Sequence, residues 1–253
     1  MTIELILLCV AAFFAGFVDA VVGGGGLIQT PAAIILLPQY PIATVIGTIK
    51  IPSFSGTSMA AIQYGKHVDL NYKLLLLVVL LAFGASMLGS HILTFASNDF
   101  MKPLILVVLI ATAVYTYTNK KFGLHTAKTH SFREQLFIGA LIALPLGFYD
   151  GFIGPGTGSF LILCYITILG FDFIHSSANA KFVNLATNLG SIVYFMASGH
   201  ILYQFALPMA AANAAGGFLG AKLAILRGNK FIRIFFLTVV SLTILRFAWE
   251  VLR

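Results

Sequence analysis

The sequence predicts an all-α polytopic membrane protein built from two inverted-topology repeats, and three observations support this fold class. First, the chain is 59% hydrophobic and only 9% charged, whereas a typical soluble domain contains about 25% charged residues. Second, apolar segments near the roughly 18 residues needed to cross a bilayer recur along the chain. Third, a motif in the first half returns in the second half.

The repeat carries charged and glycine-rich positions together. Residues 16–19 read Gly-Phe-Val-Asp and lead into four glycines at 23–26, while residues 147–150 read Gly-Phe-Tyr-Asp and lead into Gly-Pro-Gly at 154–156. The offset of 147 − 16 = 131 residues also places Lys50 on Lys181. We therefore divide the chain into a first transmembrane repeat at 1–119, a basic linker at 120–133 and a second transmembrane repeat at 134–253.

Each half contains five apolar segments. They are expected at 3–22, 26–37, 43–64, 74–95 and 101–118, and at 134–153, 158–171, 177–197, 203–226 and 232–251. The second segment of each half is too short for a straight span, since a helix rises about 1.5 Å per residue and must cover about 30 Å. Both short segments follow glycine-rich breaks. The sequence thus predicts broken helices or re-entrant hairpins, which are tolerated where they are buried in protein or line a cavity.

The topology follows from the number of crossings and from the basic residues. An odd number of crossings in each half inverts the second half relative to the first. Nine basic residues share one side: Lys66, Lys73, Lys120, Lys121, Lys128, Arg133, Arg227, Lys230 and Arg233. Because short cytoplasmic loops are rich in Lys and Arg, we expect a cytoplasmic linker and external termini. The formal net charge of +7 therefore reflects topology and does not indicate nucleic-acid binding.

Two lysines inside apolar segments are the strongest functional signal. A lysine at the centre of a membrane helix costs about 2.5–3.5 kcal/mol, and here each begins a polar stripe with the spacing i, i+3, i+7, which is one helix face. The stripes are Lys50, Ser53 and Thr57 in the first half and Lys181, Asn184 and Asn188 in the second. Ammonium, amide and hydroxyl donors facing each other across two inverted halves would bind an anion with several oxygens.

Two carboxylates allow other interpretations of the same segments. Asp19 and Asp150 lie just before the glycine breaks, where they could pair with the lysines as structural ion pairs, cap the following helices, or relay protons. An ion pair that an incoming anion disrupts would also act as a gate. These alternatives stay open from the sequence alone.

The glycine breaks could simply end helices, or they could direct backbone N–H groups and a helix N-terminus at an anion. We favour the second interpretation because both halves break at the same place. The candidate positions are Gly24, Gly25, Gly156 and Thr157. The chain has no Rossmann fingerprint, P-loop, zinc motif or nucleophile elbow, so we expect no cofactor, no metal and no enzymatic activity.

The motifs around both breaks, together with Asn179-x-Lys181-x-x-Asn184-x-x-x-Asn188, resemble the sulfite exporter TauE/SafE family, also called TSUP or DUF81. The resemblance covers essentially the whole chain. It implies a permease of the bacterial inner membrane that moves sulfur-containing anions such as sulfite, sulfonates or thiosulfate. The expected partners are thus the bilayer, a small anion and a coupling proton or sodium ion.

Three functional hypotheses follow. The first is a secondary transporter that moves a small oxyanion or organosulfonate by alternating access at a midplane site between the repeats. The second is a transporter of another carboxylate or of an amino-acid-like solute. The third, an intramembrane enzyme or assembly factor, is disfavoured by the lack of a nucleophile–base pair. The sequence predicts neither the direction of transport nor the oligomeric state.

Overall fold

The computed structural model describes residues 2–101, 103–105, 107, 108, 111 and 131–251, with only the side chain of Phe235 beyond residue 228. Within these ranges every regular element is a helix. The helices are α1 (Thr2–Val22), α2 (Gly26–Leu36), α3 (Ile42–Gly65), α4 (Tyr72–Thr94), α5 (Phe132–Phe152), α6 (Thr157–Thr167), α7 (Phe173–Ala197) and α8 (Tyr203–Val251). Most of the predicted linker and of the predicted segment at 101–118 lies outside the described residues.

Four of these helices are long and apolar enough to cross a membrane: Ile3–Val22, Tyr72–Thr94, Phe132–Phe152 and Tyr203–Gly228. By contrast, α2 and α6 have 11 residues each and are about 16 Å long at 1.5 Å per residue, roughly half a hydrocarbon core. The two short segments of the prediction are therefore confirmed as short helices. The last two predicted segments form one element with a non-helical residue, Gly228, at φ 69°.

The helix bounds repeat along the chain. Adding 131 residues to α2 gives 157–167, the bounds of α6, and adding it to α3 gives 173–196, one residue short of α7. Helix packing repeats as well: α1 packs against α8 as α4 packs against α5, and α3 packs against α8 as α4 packs against α7. Each contact thus has a counterpart in which the two halves exchange places.

The third helices of the two halves run in opposite directions. Near the start of α3, Thr48 accepts a 3.0 Å hydrogen bond from the N–H of Leu202, just beyond the end of α7. At the other end, Gly65 lies against the ring of Phe182, in the first half of α7. We refer to the end of the molecule where α3 begins as the proximal end, and to the end where α3 finishes and α7 begins as the distal end.

The first glycine break turns the chain back on itself. Gly25 lies against Ala15 and the Cβ of Asp19, so no side chain would fit there. From this point α2 returns toward the proximal end and shares a buried apolar cluster with the first half of α1, through Leu27 and Ala33. The break is made at Gly23, whose φ of 76° is strained for residues with a side chain. The chain thus leaves helical conformation at residues 23–25, where the backbone of Gly23 lies against that of Gly158 in the second half.

Candidate functional site

Two ion pairs connect the halves; three of their four side chains are buried, and that of Asp19 is 18% exposed. The Nζ of Lys50 donates to the Oδ2 of Asp150 at 3.0 Å and to its backbone carbonyl at 2.6 Å, and both side chains are 5% exposed. Lys181 does the same with Asp19: its Nζ lies 2.8 Å from Oδ2 and also donates to the backbone carbonyl. Each lysine therefore binds the acid of the other half. The structure thus contains the lysine–acid ion pairs that the sequence left as one of the alternatives.

The pairs also stabilise the helix ends before the breaks. The carbonyl of Asp19 accepts from the N–H of Gly23 and from Lys181, and a cation near the last carbonyls of a helix interacts favourably with the helix dipole. The acids do not cap the following helices, because the N-cap residues of α2 and α6 are Gly25 and Gly156, with no side-chain cap bond. Helix capping by Asp19 and Asp150 was the wrong alternative.

A cavity of about 40 Å³ lies between the pairs. Since one water needs about 10–15 Å³ of such space, the cavity suits a few waters or one small anion. Its centre is lined by repeat-related positions from both halves. These are Asp19 with Asp150, Gly23 with Gly154, Gly25 with Gly156, Gly26 with Thr157, Ser53 with Asn184, and Thr57 with Asn188.

The polar stripes of α3 and α7 meet in this centre. Thr57 donates at 3.4 Å to the Oδ1 of Asn184 and lies at the same distance from the Oδ2 of Asp19. The Nδ2 of Asn188 donates to the Oδ1 of Asn184 at 3.2 Å. All three stripe residues are buried, so their hydrogen-bonding groups are held against one another and against the cavity.

Both glycine breaks reach the cavity, and they touch each other. The N–H of Ser159 donates to the carbonyl of Gly23 at 3.0 Å, and Gly158 packs directly on the Gly23 backbone. The N-termini of α2 and α6 therefore converge on one small volume. The first-turn N–H groups of Leu27, Ile28 and Thr157 are also bonded to carbonyls of the breaks, so it is the positive end of each helix dipole, about half a charge, that favours an anion.

Most of the residues predicted for the site come together at this cavity. Two of the predicted residues do not line it: Gly24, and Lys181, whose side chain is fully buried against Asp19. The lysines are therefore not equivalent here, since Lys50 borders the cavity and Lys181 lies behind its carboxylate partner.

Three lining residues with polar side chains escaped the prediction, namely Gln29, Thr30 and Asn213. Asn213 of α8 donates to the Oε1 of Gln29 at 2.7 Å, and Gln29 donates to the carbonyl of Ile49 at 3.2 Å. The signal that could have found them is a polar residue within an apolar helix. The 131-residue repeat hides it, because Phe160 and Ala82 occupy the equivalent positions of Gln29 and Asn213.

The chain is similar to known proteins over almost its whole length. The model of the family described as "Sulfite exporter TauE/SafE" matches residues 8–247. The chain belongs to this family. Relatives named as probable membrane transporter proteins include one from Sinorhizobium sp. (35% identity; 89% of this chain and 85% of the relative) and one from Haemophilus influenzae (34%; 90% and 88%). A third, YfcA of Escherichia coli, is 28% identical over 88% of this chain and 81% of its own length.

No solved structure matches the chain. The family and the relatives point to membrane transport and not to an enzyme, and the resemblance that the motifs indicated is confirmed.

Proposed function

We propose that this protein is a secondary transporter of a small anion, a sulfur-containing oxyanion or organosulfonate, and that it works by alternating access. The observation that carries the proposal is the pair of ion pairs that cross between the halves, Lys50–Asp150 and Lys181–Asp19, on either side of one small polar cavity. A buried charge at membrane depth marks a substrate or ion pathway by default. Four such charges in two repeat-related pairs indicate a gate for each half.

The charges of the site explain why an anion would open it. The four side chains sum to zero, and the N-termini of α2 and α6 add positive potential. An incoming oxyanion can replace the carboxylate of Asp150 at the ammonium of Lys50, which borders the cavity. The hydroxyl and amide groups of Thr57, Asn184 and Asn188 then supply donors for the remaining oxygens. The cavity volume of about 40 Å³ favours a small oxyanion such as sulfite over a larger organosulfonate.

Displacement of the Asp150 carboxylate from Lys50 would couple substrate binding to the uptake of a cation. Asp150 released from Lys50 is an uncompensated buried charge, and such a charge is costly unless it finds another partner. A proton or a sodium ion supplies that partner. Substrate binding and cation uptake would thereby be linked at the same residue pair, and the repeat-related pair Lys181–Asp19 would serve the same role for the other half.

The membrane arrangement belongs to this proposal. The reciprocal helix contacts and the opposite directions of α3 and α7 support two inverted repeats related by an axis in the membrane plane. With the basic residues assigned to the cytoplasm, the distal end faces the cytoplasm and the proximal end faces outward. The location is the bacterial inner membrane, as the family resemblance implies.

Uptake into proteoliposomes tests the proposal. The purified protein is reconstituted, and influx of radiolabelled sulfite is measured with a proton gradient, a sodium gradient, or neither. Thiosulfate, sulfoacetate, taurine and acetate are added as competitors. Saturable uptake that sulfur oxyanions inhibit and acetate does not supports the proposal. Influx of radiolabelled acetate, measured in the same way, with no influx of sulfite favours the second hypothesis, a carboxylate transporter using the same donors, and influx of neither solute refutes both.

A further inference from the structure

Three side-chain oxygens on one side of the cavity face one another at distances that are long for hydrogen bonds. The Oγ1 of Thr57 lies 3.4 Å from the Oδ2 of Asp19 and 3.4 Å from the Oδ1 of Asn184. Hydrogen bonds between oxygens are usually about 2.5–3.0 Å long, and a hydroxyl has a single hydrogen to donate. One proton therefore does not satisfy this cluster, which we call the oxygen triad.

The spacing of the oxygen triad matches the coordination shell of a small cation. Calcium binds oxygens at about 2.3–2.6 Å, and sodium has almost the same radius. Two ligands that are each about 2.4 Å from one ion, at right angles, lie about 3.4 Å apart. With one carboxylate and two neutral oxygens, the triad supplies a single negative charge, which suits a monovalent ion. Potassium is larger and would need the oxygens farther apart.

The surroundings hold these oxygens toward the same point. The Nδ2 of Asn188 donates to the backbone carbonyl of Asn184 at 2.8 Å and to its Oδ1 at 3.2 Å, so Asn184 must present its oxygen and not its nitrogen on this side. The side chain of Asp19 is 18% exposed, against 5% for Asp150. Within the described residues, both hydrogen bonds to the Asp19 carboxylate are to Oδ2, which leaves Oδ1 for a further ligand.

The other half does not repeat the oxygen triad. The positions equivalent to Thr57 and Asn184 are Asn188 and Ser53, and both line the cavity. In the part of the chain that the structure describes, however, the side-chain carboxylate of Asp150 bonds to its lysine partner alone. The arrangement of oxygens that suits a cation is therefore expected once in each chain.

We propose that the oxygen triad binds one sodium ion and that this ion is the coupling ion of transport. The binding stands on the geometry of the triad, and the coupling rests on the proposed function. Lys181 does not line the cavity, so sodium reaches the Asp19 carboxylate from the cavity side. Because the four charged side chains sum to zero, sodium alone or an anion alone leaves an uncompensated charge. Each ion therefore raises the affinity of the site for the other.

Equilibrium binding of radioactive sodium to the purified protein tests the site without transport. The protein in detergent is titrated with sodium at constant ionic strength, balanced with choline chloride, with and without sulfite added as its potassium salt. We expect saturable binding of one ion per chain that unlabelled NaCl displaces and KCl does not, and that sulfite tightens by at least about fivefold. Sodium at a hundred times its Kd should also raise the Tm by about 5–10 °C.

Variants of two threonines of α3 locate the ion. Thr57→Val keeps the shape of the side chain without its oxygen and should weaken sodium binding at least about tenfold, whereas Thr57→Ser keeps the oxygen and should keep the affinity. Thr48→Val is the matched control, because the buried hydroxyl of Thr48 bonds to Thr44 and Leu202 away from the cavity, and it should bind sodium as the wild type does. Asn184→Ala removes a second ligand and should weaken binding as Thr57→Val does.

The binding and the transport assays fail separately. Absence of saturable sodium binding, equal displacement by KCl, or wild-type affinity in Thr57→Val overturns the site, and sulfite uptake driven by a proton gradient would still support the transporter. Sodium binding that Thr57→Val removes, with sulfite uptake that a sodium gradient does not accelerate, supports the site and overturns the coupling. The same binding in a protein that moves no sulfite supports the site and contradicts the proposed function.

Discussion

Removing the ammonium of Lys50 should destabilise the protein, and removing its acid partner as well should restore most of the loss. In Lys50→Gln the carboxylate of Asp150 is left without its 3.0 Å contact to Nζ at 5% exposure, and the backbone carbonyl of Asp150 loses its 2.6 Å bond. Breaking a buried ion pair by deleting one partner costs about 3–5 kcal/mol. At about 2–4 °C per kcal/mol for a chain of this size, the apparent Tm should fall by about 6–20 °C.

The double variant Lys50→Gln/Asp150→Asn leaves no unpaired charge. It still lacks the 2.6 Å bond from Nζ to the backbone carbonyl of Asp150, which is worth about 1 kcal/mol. The expected loss is therefore about 1 kcal/mol, or about 2–4 °C. Thermal unfolding in detergent, followed by tryptophan or thiol-reactive fluorescence, measures all three proteins.

Ser90→Ala is the control for a neutral bond in the same place. The buried hydroxyl of Ser90 donates to the carbonyl of Gly151 at 3.2 Å, next to Asp150, and its loss should cost about 1 kcal/mol without stranding a charge. A single lysine variant no less stable than this control would refute the reasoning. So would a double variant as unstable as the single one, since the stranded carboxylate would then not be the cause.

Other predictions address packing, the polar stripes and topology. Gly56→Ala should destabilise by about 1–3 kcal/mol, because a Cβ there overlaps the amide oxygen of the buried asparagine of α8, whereas Gly84→Ala, with no atom within 4 Å of its Cβ, should be neutral or stabilising in the same unfolding assay. Asn184→Leu and Asn188→Leu should lower sulfite uptake more than they lower Tm, and full uptake in both would mean that the stripe only packs. Reporter fusions at Leu124 and at the C-terminus should report opposite sides of the membrane, and one shared side contradicts the inverted arrangement.

The repeat made much of the fold predictable. Periodic apolar segments and one 131-residue offset locate the helices within a few residues, and the short helices α2 and α6 follow from the glycine breaks. The start of α7 was missed by four residues, at Phe173 and not at 177. There the side chain of Asp172 accepts from the N–H of His175 at 2.9 Å and caps a first turn whose polar residues look like a loop. Local capping thus extended a helix beyond its apolar pattern.

The sequence predicted most of the residues that form the site, but not which of them pair with each other. Spacing placed Lys181, Asn184 and Asn188 on one face, but it could not show that each lysine reaches the acid of the other half. That contact depends on how α1 and α5 pack across the interface, and distance along the sequence favours the wrong acid, since Lys50 is 50 − 19 = 31 residues from Asp19 and 150 − 50 = 100 residues from Asp150. The sequence could not predict the asymmetry of the cavity either. The repeat makes the positions of Lys50 and Lys181 equivalent, and only the conformation shows that Lys50 lines the cavity and Lys181 does not.

Sulfite uptake by the folded double variant Lys50→Gln/Asp150→Asn tests the central claim most directly. This variant keeps the shape of the cavity and most of the stability, and it lacks the cavity-bordering ammonium and its carboxylate partner. If that pair is the gate that an anion opens, uptake into proteoliposomes should fall to the level of protein-free vesicles. Wild-type rates of uptake in the folded double variant would show that the pair only holds the halves together and that the anion passes elsewhere.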